Sequence, residues 1–255
     1  SHILTKEETA AITRQQADIS EIYGLPKIHK SRTLLEAASN ANSIIINSFE
    51  PPDVKFRPIV SCRNCPTAKL CEALNSFLQP LAARVKYRLT DTWDFLRSCP
   101  EKVEQGTFIV TADISSLYTN ITTESGLAAI SHYWDLYSDT LFPKRFTKDF
   151  VLELFKFCQE NLYFVFNGKV IRQKSGTGMG KIYAPALADI KVGKDEMSLE
   201  NWIIDAIPSE PGMMFLSSYK RYLDDVIFRM HLQYKKELEL IQTKMNETDP
   251  NITYI

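Results

Sequence analysis

The sequence is poor in the residues that mark fibrous, low-complexity and membrane proteins. Its 255 residues include only 9 Gly and 12 Pro, placed without a period, which excludes collagen-like and low-complexity chains. No apolar run approaches the ~18–20 residues that a membrane-spanning helix needs, so we expect no membrane partner. The five cysteines, an odd number, favour reduced thiols in an intracellular protein over a disulfide framework.

The sequence also has almost no net charge, because its 30 basic residues nearly balance its 31 acidic residues. Two stretches are nevertheless basic. Positions 55–88 contain a single acid, Glu72, and seven bases, which are Lys55, Arg57, Arg63, Lys69, Arg84, Lys86 and Arg88. Positions 165–185 contain four bases and no acid. These stretches indicate either a basic groove for nucleic acid or an ordinary solvated surface.

The cysteine spacing contains one short motif, Cys62-x2-Cys65, with Cys71 nearby. Thiolates at this spacing are zinc ligands in many small domains. A structural zinc site needs four ligands, and the sequence has neither a second such motif nor a spaced histidine pair to complete the set. We therefore expect no metal at these cysteines.

The apolar pattern predicts a mixed α+β fold, since helices and strands follow one another without strict alternation. Helices are predicted over about residues 5–18, 66–85, 122–138, 147–160 and 184–204, with a kink or break at Pro80. Strands are predicted over residues 55–61 and 108–114, in a 163–171 hairpin that turns at Asn167-Gly168, and in β-prone runs over 213–222 and 226–230.

Two acidic motifs carry the chemistry. Asp113 ends a predicted buried strand, and Asp224-Asp225 joins two predicted strands. Carboxylates brought together at strand ends repel one another unless a cation lies between them. Hard oxygen ligands suit Mg²⁺, and two such ions promote in-line phosphoryl transfer. Either motif alone is more typical of a plain strand end or hairpin turn, and only the surrounding residues favour the metal site.

The neighbouring residues favour a nucleotide site. Tyr118 follows Asp113 by five residues, and Tyr222 stands just before the second acidic motif. Between the two motifs lies a glycine cluster over 176–180, and a helix opens soon after it at Pro185. Glycines allow a backbone to approach a ligand closely, and a helix start offers free N–H groups. Upstream, the cations Lys27 and Arg57 suit the binding of a triphosphate.

In these motifs the chain resembles the reverse transcriptase domain of Penelope-like retroelements, a polymerase related to the telomerase catalytic subunit. The residues that carry the resemblance are Tyr23-Gly-Leu-Pro-Lys-Ile-His-Lys30, Arg57-Pro-Ile-Val-Ser61, Asp113-Ile-Ser-Ser-Leu-Tyr-Thr-Asn-Ile121, Gly176-Thr-Gly-Met-Gly180 with Ala184-Pro185, and Arg221-Tyr-Leu-Asp-Asp225. The first and third are nearly diagnostic for the family, whereas Tyr-Leu-Asp-Asp is shared by many reverse transcriptases.

The resemblance implies a right-hand polymerase with fingers and palm, in which helices flank an antiparallel palm sheet. Fingers would occupy residues 1–105 and the catalytic palm 106–255, with 121–175 as a helix and hairpin insert. The implied activity is RNA-directed DNA polymerisation onto a primer 3′ end, with two Mg²⁺ ions that Mn²⁺ can replace. The implied partners are an RNA template, a DNA primer and deoxynucleoside triphosphates, in an intracellular, nuclear protein.

The resemblance also implies a role for each matching residue. Asp113, Asp224 and Asp225 would be catalytic and hold the metals, with the Ile114 carbonyl as an extra ligand. Lys27 and Arg57 would contact the incoming triphosphate. Tyr118 would exclude a ribose 2′-hydroxyl, and Tyr222 would lie near the primer end. Gln173 and Gly178, with the loop around it, would line the nucleotide and template pocket.

Some features depart from the family pattern. Lys181-Ile-Tyr183 stands where smaller residues are expected, and Asp189 stands where the family tends to have Asn. No thumb or GIY-YIG endonuclease follows the palm motifs, which we interpret as a fragment, a truncated copy or a chain that continues elsewhere. Two other functions stay open: a nucleic-acid-binding module without turnover, and an unrelated metal-dependent phosphotransferase. The latter does not explain Tyr118 or the upstream motifs.

Overall fold

The computed structural model describes residues 3–13, 17–41 and 52–255. Its helices are α1 Lys6–Thr13, α2 Arg32–Asn40, α3 Ala68–Ala82, α4 Thr92–Ser98, α5 Leu117–Asn120, α6 Thr123–Leu141, α7 Lys148–Glu160, α8 Ala184–Ala206, α9 Ser209–Ser218 and α10 Lys235–Glu247. Its strands are β1 Ile22–Pro26, β2 Phe56–Val60, β3 Thr107–Asp113, β4 Tyr163–Phe166, β5 Lys169–Arg172, β6 Lys220–Tyr222 and β7 Asp225–His231. All named strand pairs are antiparallel, in sheets ordered β1-β2, β3-β7-β6 and β4-β5.

The three-stranded sheet is covered by helices on one face. Along β7 the residues Val226, Phe228 and Met230 are buried and alternate with more exposed ones, as expected for a strand with one face toward a core. They pack with apolar residues of α8, α9 and α10. On the opposite face Ile109 of β3 is exposed. The predicted α+β class, with an antiparallel sheet flanked by helices, is confirmed.

A second core lies among α3, α6, α7 and α8. The predicted apolar face of α3 is buried at Leu74, Leu78 and Leu81. Residues 186–193 of α8 are all buried, and the alanines of this helix allow the neighbouring helices to approach closely. Because α8 contributes to both cores, it fixes the sheet relative to the helices around it.

The prediction of a β-strand over 213–222 is wrong for most of its length. Residues 209–218 form α9, and only Lys220–Tyr222 extend as β6. The composition of this segment favours a strand, but its packing favours a helix. Phe215 and Ser218 lie three residues apart, on one face of a helix, and both are buried against β7. The hairpin prediction was correct, because Asn167 and Gly168 both have positive φ between β4 and β5.

Two helix boundaries also differ from expectation. Residues 17 and 18 are not helical, so the predicted 5–18 helix is too long; positions 14–16 within it lie outside the described residues. Helix α3 continues through Pro80 and ends two residues later at Ala82. Leu78, Leu81 and Ala82 are fully or almost fully buried, and their packing holds this last turn in place. Within the described ranges, none of the helices has the length and apolar character needed to cross a bilayer.

Candidate active site

The acidic residues meet at one end of the three-stranded sheet. Asp113 ends β3 and is paired in register with Asp225, the first residue of β7. Residues directly opposite on antiparallel strands project to the same face, so these two carboxylates are neighbours. Asp224 lies in the turn before β7, and its backbone carbonyl accepts a hydrogen bond from Ile114 N at 2.8 Å. The sheet therefore brings all three aspartates together.

The turn that carries Asp224 is strained. Tyr222 pairs with Asp225, which leaves Leu223 and Asp224 as a two-residue connection between β6 and β7. Leu223 has φ +54°, a left-handed conformation that costs a bulky residue about 1–3 kcal/mol. Such a conformation persists only where the surroundings hold it. Arg221 supplies one such contact, since its Nη1 donates to the Leu223 carbonyl at 3.0 Å.

Arg221 is the centre of a buried ionic network. Its side chain is 0% exposed and forms ion pairs with Glu196 at 2.7 Å and Asp189 at 2.9 Å, both on α8. Asp189 also pairs with Arg88, and Tyr219 donates its hydroxyl to Glu196 at 3.1 Å. Two arginines thus balance two carboxylates. We did not predict this network from the sequence, although Asp189 already stood out as a departure from the family pattern.

Seven of the ten residues predicted for the site line one cleft of about 920 Å³. They are Lys27, Arg57, Asp113, Ile114, Tyr118, Asp224 and Asp225. The cations come from the two-stranded β1-β2 sheet, where Leu25 pairs with Arg57, and Lys27 N donates to the Lys55 carbonyl at 2.8 Å. His29 and Lys30 add to the same basic side. The cleft is therefore acidic at the end of the three-stranded sheet and basic beside the β1-β2 sheet.

The other three predicted residues lie elsewhere. Gln173 donates from Nε2 to the carbonyls of Ser175 and Gly176. It therefore stabilises the glycine loop, residues 176–180, and does not line the cleft. Gly178 is in the same loop and does not line the cleft. Tyr222 is 48% exposed and lines an adjoining cavity of about 700 Å³. Asp113 and Asp225 border both spaces.

The glycine loop forms one wall of the cleft by packing on β2. Met179 accepts a backbone hydrogen bond from Val60 N at 3.0 Å, and the next residue is Gly180 with φ +117°. A Cβ at position 180 would overlap the Val60 carbonyl oxygen, whereas one at position 178 would meet only ordinary contacts from 3.5 Å outwards. Of these two positions, Gly180 requires a glycine and Gly178 does not.

We expect Gly180→Ala to lower the free energy of unfolding by about 2 kcal/mol or more. The backbone conformation is nearly exclusive to glycine and costs about 1–3 kcal/mol, and the overlap with Val60 adds to it. The matched control is Gly178→Ala, for which we expect a change below about 0.5 kcal/mol. Urea denaturation of both variants gives the comparison, and equal losses at the two positions would contradict the structure.

The electrostatics of the acidic end favour a bound cation. Partial burial and the charges of Asp224 and Asp113 raise the pKa of Asp225 above its usual range. Burial, Asp224 and Asp189 raise the pKa of Tyr118 to about 12, so this phenol is protonated at neutral pH. A positive ion among the aspartates would relieve their repulsion.

The donor set suits magnesium. No three His, Cys, Asp or Glu side chains of residues 3–13, 17–41 and 52–255 converge closely enough to enclose a metal by themselves. Mg²⁺ does not require such an enclosure, since it commonly uses one or two carboxylates and completes its shell with waters and substrate phosphates. Asp113 and Asp224, beside a cleft with room for a nucleotide, fit that mode of binding.

No protein-family model and no curated protein matches the chain by sequence. Solved structures match it in fold. A telomerase from Candida tropicalis aligns over 92% of this chain and 51% of its own, with 11% identity and a TM-score of 0.57. A telomerase from Candida albicans, in complex with a TWJ fragment of telomeric RNA, aligns over 98% and 43%, with 11% identity and a TM-score of 0.58.

A third match extends the likeness beyond telomerases. The RNA-dependent RNA polymerase of a human picorbirnavirus aligns over 83% of this chain and 38% of its own, with 12% identity and a TM-score of 0.51. The chain spans about half or less of the length of these proteins. At such identities the likeness concerns the fold alone. The chain has a fold of the polymerase and reverse-transcriptase type.

Proposed function

We propose that this chain is the RNA-directed DNA polymerase core of a Penelope-like reverse transcriptase, which extends a primer 3′ end on an RNA template. The observation that carries the proposal is the cleft in which three aspartates face two cations from the separate β1-β2 sheet. A deoxynucleoside triphosphate suits the charges of this cleft, because its anionic phosphates can bind Lys27 and Arg57. The telomerase solved with telomeric RNA supports an RNA template.

In this proposal the β1-β2 sheet belongs to the fingers, within residues 1–105. The three-stranded sheet belongs to the palm, residues 106–255, with 121–175 as its insert. Lys27 and Arg57 hold the triphosphate, and Asp113, Asp224 and Asp225 hold two Mg²⁺ ions with help from the Ile114 carbonyl. When bound, these ions activate the primer hydroxyl and stabilise the leaving oxygen. Tyr222, beside the adjoining cavity, contacts the primer end.

A binding module without turnover is the second candidate. Binding alone gains nothing from three carboxylates, because they repel the phosphate backbone and one another. Their convergence on the same cleft as the cations is what a polymerase requires. An unrelated phosphotransferase is less favoured, since the matching folds are those of polymerases.

Primer extension on an RNA template tests the proposal. We expect this chain, or a version extended at its C-terminus, to add deoxynucleotides in the presence of Mg²⁺ or Mn²⁺. If both versions bind primer–template and neither adds nucleotides with either ion, the binding module is the correct function. A DNA template of the same sequence, run in parallel, measures the preference for RNA.

Tyr118 provides a more specific prediction within the same assay. The ring lines the cleft five residues after Asp113 and is partly buried against the core that α3, α6, α7 and α8 form. A ring in contact with C2′ of the sugar leaves no room for a hydroxyl. We therefore expect Tyr118→Val to raise ribonucleotide incorporation about tenfold or more, the effect of about 1.4 kcal/mol of discrimination, with a small loss for deoxynucleotides. A parallel loss of both activities would instead indicate a packing role.

A further inference from the structure

Lys191, in the middle of α8, is a buried lysine with two carboxylate partners. The residue is 3% exposed. Its Nζ pairs with Asp195, one turn along the same helix, and with Asp249, two residues beyond the end of α10, at 2.7 Å. Both carboxylates are largely buried themselves, with side chains 13% and 14% exposed. Breaking such a pair leaves a charge without its partner away from water, so the contact fixes Asp249 to α8.

The two carboxylates have different roles. Asp195 lies four residues from Lys191 on the same helix, so their ion pair joins α8 only to itself. Burial, together with the charge of Asp249, raises the pKa of Asp195 to about 6, although Lys191 acts in the opposite direction. Partial burial also acts to raise the pKa of Asp249, but the bonds from Lys191 and from Asn251 N outweigh it and hold this pKa below its usual range. Asp249 is therefore the partner that joins two separate parts of the chain.

Asp249 opens the turn that follows α10. Its side chain accepts a hydrogen bond from Asn251 N at 2.7 Å, and its carbonyl accepts one from Ile252 N at 3.1 Å. Ile252 is 2% exposed and belongs to the core that α3, α6, α7 and α8 form. Tyr254 is partly buried against both cores. One ion pair and two hydrophobic contacts thus hold residues 249–255 on the rest of the protein.

The end of this segment lies beside the first catalytic aspartate. Residues 253–255 run antiparallel to the end of β3. Asp113 and Ile255 exchange two backbone hydrogen bonds, at 2.9 and 3.0 Å. On the other side of the same backbone, Ile114 N donates to the Asp224 carbonyl. The backbone that carries Asp113 is therefore held between the turn of Asp224 and the segment that Lys191 anchors.

We propose that Lys191 is a positioning residue for the polymerase site, which through its ion pair with Asp249 holds the 249–255 segment against Asp113. The inference rests on the proposed function, because that function makes Asp113 a catalytic residue. Lys191 lines neither the nucleotide cleft nor the adjoining cavity, so it acts through the segment and not on a substrate. Without the ion pair, Asp113 is held less firmly relative to Asp224. A small displacement of a catalytic group costs much in rate, so the chemical step becomes slower.

The two partners of Lys191 provide a matched pair of variants. Asp249→Asn removes the ion pair to the segment, whereas Asp195→Asn removes an equal charge from the same lysine and leaves the segment attached. In Asp249→Asn we expect the amides that bond the segment to β3 to exchange hydrogen about tenfold faster, with unchanged exchange in α6. Asp195→Asn should leave exchange unchanged at both places. This measurement needs no substrate, so it is independent of any polymerase activity.

Single-turnover primer extension tests the consequence for catalysis. We expect Asp249→Asn to lower the rate constant at saturating deoxynucleotide about tenfold, with an unchanged half-saturating nucleotide concentration, because Lys27 and Arg57 stay in place. Asp195→Asn should match the unsubstituted chain in both quantities. A loss of stability alone would reduce the amplitude of the reaction and not its rate constant, so this readout separates positioning from a purely structural role.

A second variant removes the same ion pair from its other end. Lys191→Gln combined with Asp195→Asn leaves the net charge unchanged and should reproduce both effects of Asp249→Asn, so the test does not depend on one variant that might fail to fold. Unchanged exchange in these variants, equal acceleration in Asp195→Asn, or faster exchange with an unaltered rate constant would each overturn the proposal. If the unsubstituted chain adds no nucleotides, the proposed function fails, and the exchange comparison still decides whether Lys191 holds the segment against Asp113.

Discussion

Replacing Asp113 or Asp224 by asparagine is expected to lower nucleotide addition about a hundred- to a thousandfold, the usual loss when one group that stabilises transition-state charge is removed. Both side chains line the cleft opposite Lys27 and Arg57. Asparagine keeps the size of the side chain and removes the negative charge that would hold Mg²⁺. Single-turnover primer extension measures the effect without interference from product release.

The same substitutions should leave the fold intact. The raised pKa of Asp225 reflects repulsion by Asp224 and Asp113 as well as burial, so removing one of these charges relieves the cluster. The free energy of unfolding should be unchanged or slightly increased. Asp205→Asn, an exposed carboxylate on α8, is the control and should alter neither activity nor stability. An Asp113→Asn variant that extends primers at the unaltered rate would refute the catalytic assignment.

The parts of the site that the sequence predicted are those set by local structure. A β-prone run that ends in Asp113 forms a strand that ends there, and Asp224 lies in a turn because two short strands flank it. Seven of the predicted residues meet in the cleft. Their meeting was predicted from the family resemblance, which assigns motifs far apart in the chain to one site. Without it, the spacing along the chain gives no reason to bring Lys27 near Asp113.

The parts that were missed depend on contacts between distant residues. The side chain of Arg221 contacts those of Asp189 and Glu196, which are 32 and 25 positions away in the sequence. The side chain of Lys181 contacts that of Cys65, which is 116 positions away. No periodicity or propensity encodes such pairs. The strand predicted over 213–222 failed for the same reason, since burial of Phe215 against β7 outweighs the composition of its own segment. The two residues that depart from the family pattern, Lys181 and Asp189, both take part in these long-range contacts.

Arg221→Met is expected to destabilise the fold by about 3–5 kcal/mol, the usual cost of removing one partner from a buried ion pair. Methionine fills much of the same volume but leaves Glu196 without its cation and the Leu223 carbonyl without its donor. Arg88→Met is the matched control. Its side chain is 25% exposed, and among the residues that the structure describes its ion pair is with Asp189, which keeps Arg221. We therefore expect a loss of about 1 kcal/mol.

A double variant separates the charge imbalance from lost packing. In Arg221→Met with Glu196→Gln, the carboxylate that lost its partner becomes neutral, so the combined loss of stability should be smaller than the sum of the two single losses by at least about 1 kcal/mol. Urea denaturation at neutral pH gives all four unfolding free energies. Strict additivity, or an Arg221→Met loss no larger than that of Arg88→Met, would mean that the network does not hold the turn. The expected coupling would show that the acidic end of the cleft is positioned by charges buried beneath it, on the helix that joins both cores.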